Sequence, residues 1–234
     1  EIEKRIVANT VGVIPVHIGG IISPNWKEIR RICRSNNLFI LEDAAHAHGS
    51  KINNQNAGSL GAAAAFSFYP TKVLNTGEGG MITTNDKSLY KKFITLRDHG
   101  KKDTKKNIHT ELGYNWRMAE ITALLGIQQV KKARQVLQER RMQAKLYDKL
   151  LINCSNLKLQ KIPAKVKSSY YKYIIFVNRS IRDKIKKDMY SNFGINLPGE
   201  VYSSLCHSQP IIKTNKNIII KKGDQFFKNA KKIS

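Results

Sequence analysis

Residues 11–43, with the sequence VGVIPVHIGGIISPNWKEIRRICRSNNLFILED, decide the fold. The stretch opens with a β-branched run, Val11–Ile18, and closes with a short apolar run, Leu38–Leu41, that leads into an acidic pair. Between the two runs a Ser-Pro step can begin a helix, and apolar side chains then recur at helical spacing over Asn25–Ser35. Strand, helix and strand in this order predict an α/β fold with a mainly parallel sheet covered on both faces.

Two further strands follow this unit and predict where a functional site lies. Ala62–Tyr69 reads as one strand, and Gly80–Thr84 reads as another after a glycine-rich turn. Ligands of parallel α/β sheets bind at the carboxyl ends of the strands. Asp43 and the segment Ser67–Lys72 fall at or just past such ends, so the sequence predicts a site at this edge of the sheet.

The second half of the chain predicts a long helix followed by a smaller α/β unit. Residues 116–151 read as helix over many turns, with Gly126 as a possible break. Tyr170–Val177 then reads as a strand, and the helical pattern that comes after it is closed by Gly194.

We expect two domains in a sequence that is cut at both ends. A boundary near residue 130 would separate a partial large domain, residues 1–130, from a partial small domain, residues 131–234. The chain opens as though inside a helix, and it stops where Phe227–Ser234 reads as the first turns of another helix. A parallel sheet with only these strands would leave open edges, which folded proteins usually avoid. We therefore expect a fragment of a longer chain.

The composition indicates an ordinary globular protein. The chain has 234 residues, of which 41% are hydrophobic and 8% aromatic. Its longest apolar runs are far too short to span a membrane. The three cysteines, Cys33, Cys154 and Cys206, are isolated and form no pair at metal-ligand spacing. They favour reduced thiols in the cytoplasm, and no metal site is expected.

The charge balance allows a second class of function. The sequence has 41 Lys and Arg against 17 Asp and Glu, a formal net charge of +24. Such a charge would attract nucleic acid or an anionic membrane, so a non-catalytic nucleic-acid-binding or regulatory protein is one alternative. The basic residues are spread along the chain, however, without an aromatic-interleaved or zinc-finger pattern. This distribution favours solvated surface lysines, with no nucleic-acid or membrane partner.

The chemistry-bearing residues are ambiguous singly and informative together. Asp43 suits a helix cap, His46 and His48 suit a hydrogen-bonded pair, Ser67 suits a backbone contact, and Lys72 suits the surface. Chemistry with pyridoxal phosphate (PLP) needs a lysine amine, a carboxylate for the pyridine nitrogen and small donors for the phosphate. The lysine, the aspartate and the serine supply these groups from adjacent strand ends, which predicts a PLP site.

Six short motifs share one order and spacing with a known enzyme family. They are EDAAHA at 42–47, GSLG at 58–61, FSFYPTK at 66–72, GEGG at 77–80, LRDHG at 96–100 and GYNWRM at 113–118. As a set they resemble the sugar-nucleotide aminotransferases of the DegT/DnrJ type, and a set of successive matches is far more specific than any single motif. The likeness runs from about residue 10 to the end of the chain.

The resemblance implies a fold and a set of residue roles. The fold is that of the type I PLP aminotransferases, which is like aspartate aminotransferase, in a homodimer with active sites at the subunit interface. By position, Lys72 would hold PLP covalently and carry protons, and Asp43 would pair with the pyridine nitrogen. Ser67 would bind the phosphate, joined by Asn115 from the neighbouring subunit. His46 stands where the family has Gln or His against the cofactor ring.

The resemblance also implies a reaction, the transfer of an amino group from glutamate to a keto group of a nucleotide-linked deoxysugar. A cyclitol or another keto-carbohydrate is an alternative substrate that these residues do not discriminate. A related branch has histidine in place of the lysine and dehydrates sugars, and Lys72 argues against that branch. The family's N-terminal phosphate loop and stacking aromatic have no counterpart in this sequence.

Overall fold

The computed structural model describes residues 1–103, 105–197 and 206–214, and the chain divides into two compact units, Glu1–Phe176 and Val177–Ser234. The strands are β1 Gly12–Val13, β2 Phe39–Asp43, β3 Lys51–Ile52, β4 Gln55–Asn56, β5 Ala63–Ser67, β6 Gly80–Thr83, β7 Leu157–Leu159, β8 Val166–Lys167 and β9 Ile175–Val177. The helices are α1 Trp26–Ser35, α2 Lys87–Arg97, α3 Glu120–Leu151, α4 Arg179–Phe193 and α5 Pro210–Thr214.

The main sheet of the first unit has the strand order β1-β2-β5-β6. The first three strands are parallel, with Asp43 of β2 opposite Ala65 of β5. β6 runs antiparallel to β5 and places Gly80 opposite Ser67. The prediction of a mainly parallel α/β sheet is therefore confirmed, with one antiparallel strand at its edge.

The first predicted strand is shorter than expected because of a proline. Val11–Ile18 was predicted as one run, but only Gly12–Val13 forms a strand. Pro15 has no N–H to donate to a sheet, yet its carbonyl still accepts the Asp43 N–H at 3.0 Å. Pairing resumes for a single residue, where Val16 bridges Asp43. The proline interrupts the strand without separating it from β2.

Helix α1 covers the sheet with the face that its apolar spacing predicts. Trp26, Ile29, Ile32 and Cys33 are all buried, and most of this face belongs to the core cluster that also contains β2 and β5 residues. The N-cap is Asn25, whose side chain makes no capping hydrogen bond, and the Ser-Pro step lies just before the helix. Burial of the apolar face, rather than a strong cap, stabilises this helix.

Helix α3 runs for 32 residues, and Gly126, predicted as a possible break, lies inside it without interrupting it. Only Ala144 of the helix is buried. The predicted domain boundary near residue 130 falls inside this continuous helix and stays a prediction about the domains, residues 1–130 and 131–234.

The last predicted strand is also shorter than its pattern. Tyr170–Val177 is predicted as a strand, but only Ile175–Val177 forms one. Tyr170 itself has a left-handed φ of 48°, which does not fit a strand. In the second unit, α4 begins after Asn178, whose side chain accepts the Ser180 N–H, and ends at Gly194 with a φ of 65°. The predicted helix start at Phe227–Ser234 lies outside the described residues. Within the described residues, no helix combines the length and apolarity needed to cross a membrane.

Candidate active site

Asp43 and Ser67 end two neighbouring parallel strands, β2 and β5, as predicted. The backbone of Asp43 is fixed on both sides, since its N–H donates to the Pro15 carbonyl and its carbonyl accepts the His17 N–H, each at 3.0 Å. Its carboxylate Oδ1 accepts the Ala45 N–H at 3.1 Å. The half-buried carboxylate is thus held at the carboxyl edge of the sheet.

Lys72 follows β5 in a loop that closes on itself. The Lys72 N–H donates to the Tyr69 carbonyl at 2.9 Å, and the Thr76 N–H donates to the Phe68 carbonyl at 2.9 Å. The Phe68 N–H in turn donates to the carbonyl of Gly79, whose φ of 145° is one that side-chain-bearing residues rarely adopt. The glycine turn therefore fixes the loop that carries the lysine.

One aromatic ring joins Lys72 to His46. The Lys72 Nζ lies 4.9 Å from the ring centroid of Tyr171, and the Tyr171 ring stacks on the His46 imidazole with centroids 4.1 Å apart. The Tyr171 hydroxyl lies 3.0 Å from the Thr71 Oγ1, and Nδ1 of His46 accepts the Gly19 N–H at 3.2 Å. The structure therefore places the predicted lysine and the predicted histidine against the same buried tyrosine.

His46 is electrostatically coupled to both predicted catalytic groups. Burial, with a smaller contribution from the Lys72 ammonium, lowers the pKa of His46 to about 4, and the Asp43 carboxylate partly opposes the shift. The imidazole is accordingly neutral at pH 7. The charges of the lysine and of the aspartate therefore both act on this one ring.

His48 lies beneath this group as a neutral side chain. It is 4% exposed and its ring is tilted against those of Phe66 and Phe68. Burial lowers the pKa of His48 to about 4, with a further contribution from the charge of Lys72. Among the described residues, neither ring nitrogen makes a hydrogen bond of good geometry, and a weaker interaction with the Ser67 backbone only partly opposes the lowered pKa. The predicted hydrogen-bonded histidine pair is therefore not what the structure shows for His48.

A fully buried carboxylate, Glu42, supports the strand end from behind. One oxygen lies 2.9 Å from Nε2 of His17, and the two oxygens accept the N–H groups of Gly58, Leu60 and Gly61 at 2.7–2.9 Å. Burial opposes the charged form, but these hydrogen bonds outweigh burial and hold the pKa of Glu42 below its usual range. The GSLG motif thus has a physical role, because its backbone binds the residue next to Asp43.

Asn115 is exposed, and contacts between the LRDHG and GYNWRM motifs hold it in place. It bridges Asp98 as an isolated antiparallel pair, and the neighbouring Trp116 N–H donates to the Arg97 carbonyl at 2.9 Å. The Arg117 guanidinium also donates to the Asp98 carboxylate at 2.6 Å. The described contacts of Asn115 are with the segment around Asp98 and not with Lys72. Its predicted role, binding the PLP phosphate of the neighbouring subunit, therefore does not arise from contacts within one chain.

Sequence reasoning missed Tyr171, Glu42 and His17 as supporting residues. The conspicuous signal for Glu42 was its place beside Asp43, with the glycine loop some sixteen residues onward. Tyr171 gave no signal, because it was assigned to a strand and lies 100 residues from its hydrogen-bond partner Thr71.

The fold and the site together define the class of protein. A mainly parallel sheet that presents a lysine, an aspartate and a serine at its carboxyl edge is the arrangement of a type I PLP aminotransferase fold. The chain belongs to the DegT/DnrJ/EryC1/StrS aminotransferase family, whose model matches residues 1–233.

Curated relatives match most of this chain but only part of their own length. An uncharacterised protein from Methanocaldococcus jannaschii is 34% identical over 98% of this chain and 61% of its own length. The GDP-perosamine synthase of Escherichia coli O157:H7 is 36% identical over 64% of this chain and 41% of its own length. The chain therefore spans less than two thirds of each of these relatives.

Solved structures share the fold. DesV from S. venezuelae superposes with a TM-score of 0.86 and 27% identity over 98% of this chain and 59% of its own. PseC from Helicobacter pylori, an aminotransferase involved in the biosynthesis of pseudoaminic acid, superposes with a TM-score of 0.75 and 31% identity. That match covers 81% of this chain and 52% of PseC.

Proposed function

We propose that this chain is part of a PLP-dependent aminotransferase that moves an amino group from glutamate to a keto group of a nucleotide-linked deoxysugar. The proposal is supported by Asp43 and Ser67 at the ends of the neighbouring strands β2 and β5, with Lys72 on the loop that follows β5, in a member of this family. The relatives named above include a GDP-perosamine synthase and an aminotransferase involved in the biosynthesis of pseudoaminic acid, which support the substrate class.

The residues present fit PLP by the chemistry of their donor set. Lys72 offers the amine that would hold the cofactor, Asp43 the carboxylate for a protonated pyridine nitrogen, and Ser67 a hydroxyl for the phosphate. His46 is neutral and half-buried beside them, so it can lie against a ring without adding charge. When bound, PLP supplies an electron sink for the carbon that gains or loses the amino group.

The roles of the protein groups follow from their positions. Asp43 is anchored through both its backbone groups and through Oδ1, so its carboxylate is preorganised and needs little rearrangement to meet a cation. Lys72 extends from a loop whose backbone is fixed by hydrogen bonds. Its amine, when neutral, would take a proton from the donor carbon and return one to the acceptor carbon. Glu42 keeps the strand end fixed beneath both groups.

The same proposal includes a homodimer in the cytoplasm. Asn115 would reach the phosphate of the PLP bound to the neighbouring subunit, and the exposure of Asn115 supports this role. Apolar side chains in the first half of α3 support an interface, since they are more than half exposed: Ile121, Leu124, Leu125, Ile127 and Val130. The three free cysteines support a reducing compartment.

The test is amino transfer by the whole protein, with variants that separate chemistry from folding. Asp43→Asn should keep the fold and PLP binding but lower turnover with glutamate and a 4-keto sugar nucleotide by orders of magnitude, because a neutral amide lacks the charge that keeps the pyridine nitrogen protonated. Asp103→Asn, in an exposed loop, is the matched control and should turn over normally. Normal turnover by Asp43→Asn would refute the role of this carboxylate.

A further inference from the structure

We propose that Tyr171 is a positioning residue for Lys72, a role that rests on the proposed function of that lysine. Its ring lies under the Lys72 ammonium, its hydroxyl meets the Thr71 hydroxyl, and its face stacks on His46. The tyrosine is 8% exposed, so the ring is an element of the interior. It thus contacts the lysine side chain, the residue before it in the chain and the predicted ring neighbour of the cofactor.

The segment that carries this ring, residues 168–171, is fixed by buried serines. The Ser169 Oγ donates to the His46 carbonyl at 2.9 Å, and the Ser169 N–H donates to the Ser50 Oγ at 3.0 Å. The hydroxyls of Ser50 and Ser168 both donate to the Gly20 carbonyl, at 2.6 and 3.1 Å. All three serines are at most 2% exposed. Segment 168–171 is therefore fastened to the two loops that flank the site.

Two arginines of α3 hold the same segment from another side. Arg140 donates to the Tyr171 carbonyl at 3.2 Å, and Arg141 donates to the Ser168 carbonyl at 2.9 Å and to the Gly49 carbonyl at 3.0 Å. Charged donors to backbone carbonyls are among the stronger hydrogen bonds in proteins. The tyrosine backbone is thus restrained by a helix and by the serine contacts.

The backbone of segment 168–171 carries strain that these contacts offset. Tyr170 adopts a φ of 48°, a left-handed value that is uncommon for a bulky residue. The Tyr170 N–H donates to the Ser168 Oγ at 2.9 Å, which stabilises this turn. Strained backbone persists where the surrounding structure over-determines it, and such places are often functional sites. The turn directs the chain so that Tyr171 meets Lys72.

An ammonium over a buried aromatic face is attracted by the negative face of the ring. Lys72 is half-buried, so water screens this attraction only in part. The ring also faces a second cation, since the Lys172 Nζ lies 5.3 Å from the same centroid. Tyr171 accordingly gives the Lys72 amine a defined resting position whenever the amine is not bonded to another group. This is positioning, and the tyrosine needs no direct part in the proton transfers.

The experiment measures the reactivity of the Lys72 amine in whole protein kept free of PLP. Trace acetylation followed by peptide mass spectrometry reports how often the amine leaves the ring, with the exposed Lys27 as internal reference. Tyr171→Leu should raise the labelling of Lys72 about fivefold, the factor that corresponds to one cation–π contact of about 1 kcal/mol. Tyr90→Leu, at an exposed tyrosine of α2, is the matched control and should leave it unchanged.

A pair of ring variants keeps the test decisive if Tyr171→Leu fails to fold. Tyr171→Phe keeps the ring and its negative face, so Lys72 labelling should stay within about twofold of the parent protein. A fully fluorinated phenylalanine at the same position keeps the shape but removes the negative face, and labelling should rise as it does for leucine. Equal labelling in the two ring variants would overturn the proposal. The assay contains no PLP, so its result is independent of whether Lys72 binds the cofactor.

Discussion

Charged side chains usually lie at the surface of a protein and apolar side chains in its interior, and two regions of this chain reverse that rule. One is the buried carboxylate of Glu42, and the other is the set of exposed apolar side chains on α3. Glu42 is charged yet fully buried, and its carboxylate is satisfied by four partners, the His17 imidazole and three backbone N–H groups of the glycine loop. Leu124 and its neighbours on α3 are apolar yet more than half exposed. A buried charge persists only where it is fully paired, whereas an exposed apolar face marks a surface for interaction. We therefore expect the first region to determine stability and propose that the second contributes to association.

The largest expected effect comes from removing the buried carboxylate. Glu42→Ala leaves three backbone N–H groups and a buried imidazole without their acceptor, so the free energy of unfolding should fall by about 3–5 kcal/mol. Urea unfolding followed by circular dichroism measures it. Glu28→Gln, at an exposed carboxylate of α1, is the control and should unfold like the parent chain. Equal stability of the two variants would contradict the account of Glu42.

The same carboxylate predicts a pH dependence. Its pKa is lower in the folded chain than in the unfolded chain, so the stability it contributes is present above the ordinary glutamate pKa of about 4.3 and is lost as the pH falls below it. Unfolding free energies measured from pH 7 to pH 3 should show this loss in the parent chain. Glu42→Gln should show a flatter curve below about pH 4.3.

His48 predicts a second, smaller loss at higher pH. Burial is the main cause that lowers the pKa of His48 to about 4. As the pH falls, the unfolded chain therefore binds a proton near pH 6.5, whereas the folded chain binds it only near pH 4. Stability should fall between about pH 6.5 and pH 4, by roughly 3 kcal/mol for this residue, because each pKa unit corresponds to about 1.4 kcal/mol. His48→Phe should reduce the slope in this window. An unchanged slope would show that His48 is not the group responsible.

The smallest effect on folding is expected on the exposed face of α3. Leu124→Gln should change the free energy of unfolding by less than about 0.5 kcal/mol, because the side chain is 58% exposed, whereas Ile29→Ala in the core should cost about 2–5 kcal/mol. The same leucine variant should weaken self-association of the whole protein, measured by sedimentation. If Leu124→Gln destabilised the fold but left self-association intact, the proposed role of the exposed α3 face would be wrong.

The sequence predicted the parts of the fold that depend on local pattern. The apolar spacing of α1 and the acidic end of β2 were enough to place the helix face and Asp43. The length of the first strand was not predictable from β-branched content alone, because Pro15 interrupts its pairing. Local propensity is a weak guide wherever tertiary context decides the backbone.

The support around the site depends on contacts that no local pattern records. Tyr171 reads as part of a strand, but its neighbour adopts a left-handed turn that brings the ring to Lys72. Glu42 reads as one of two adjacent acids, and only the folded chain shows that its neighbour reaches the sheet edge while it is buried. Pairings over such distances follow from the tertiary structure.

The most direct test of the central claim is to locate the cofactor on the chain. Whole protein loaded with PLP is reduced with borohydride, digested and mapped by mass spectrometry, with Lys172→Arg as a matched control because Lys172 lies over the same tyrosine ring. We predict that the PLP mass is attached to Lys72 in the parent protein and in the control, and that it is absent from Lys72→Arg. Attachment to any other lysine, or retention of the label at Lys172 alone, would contradict the account.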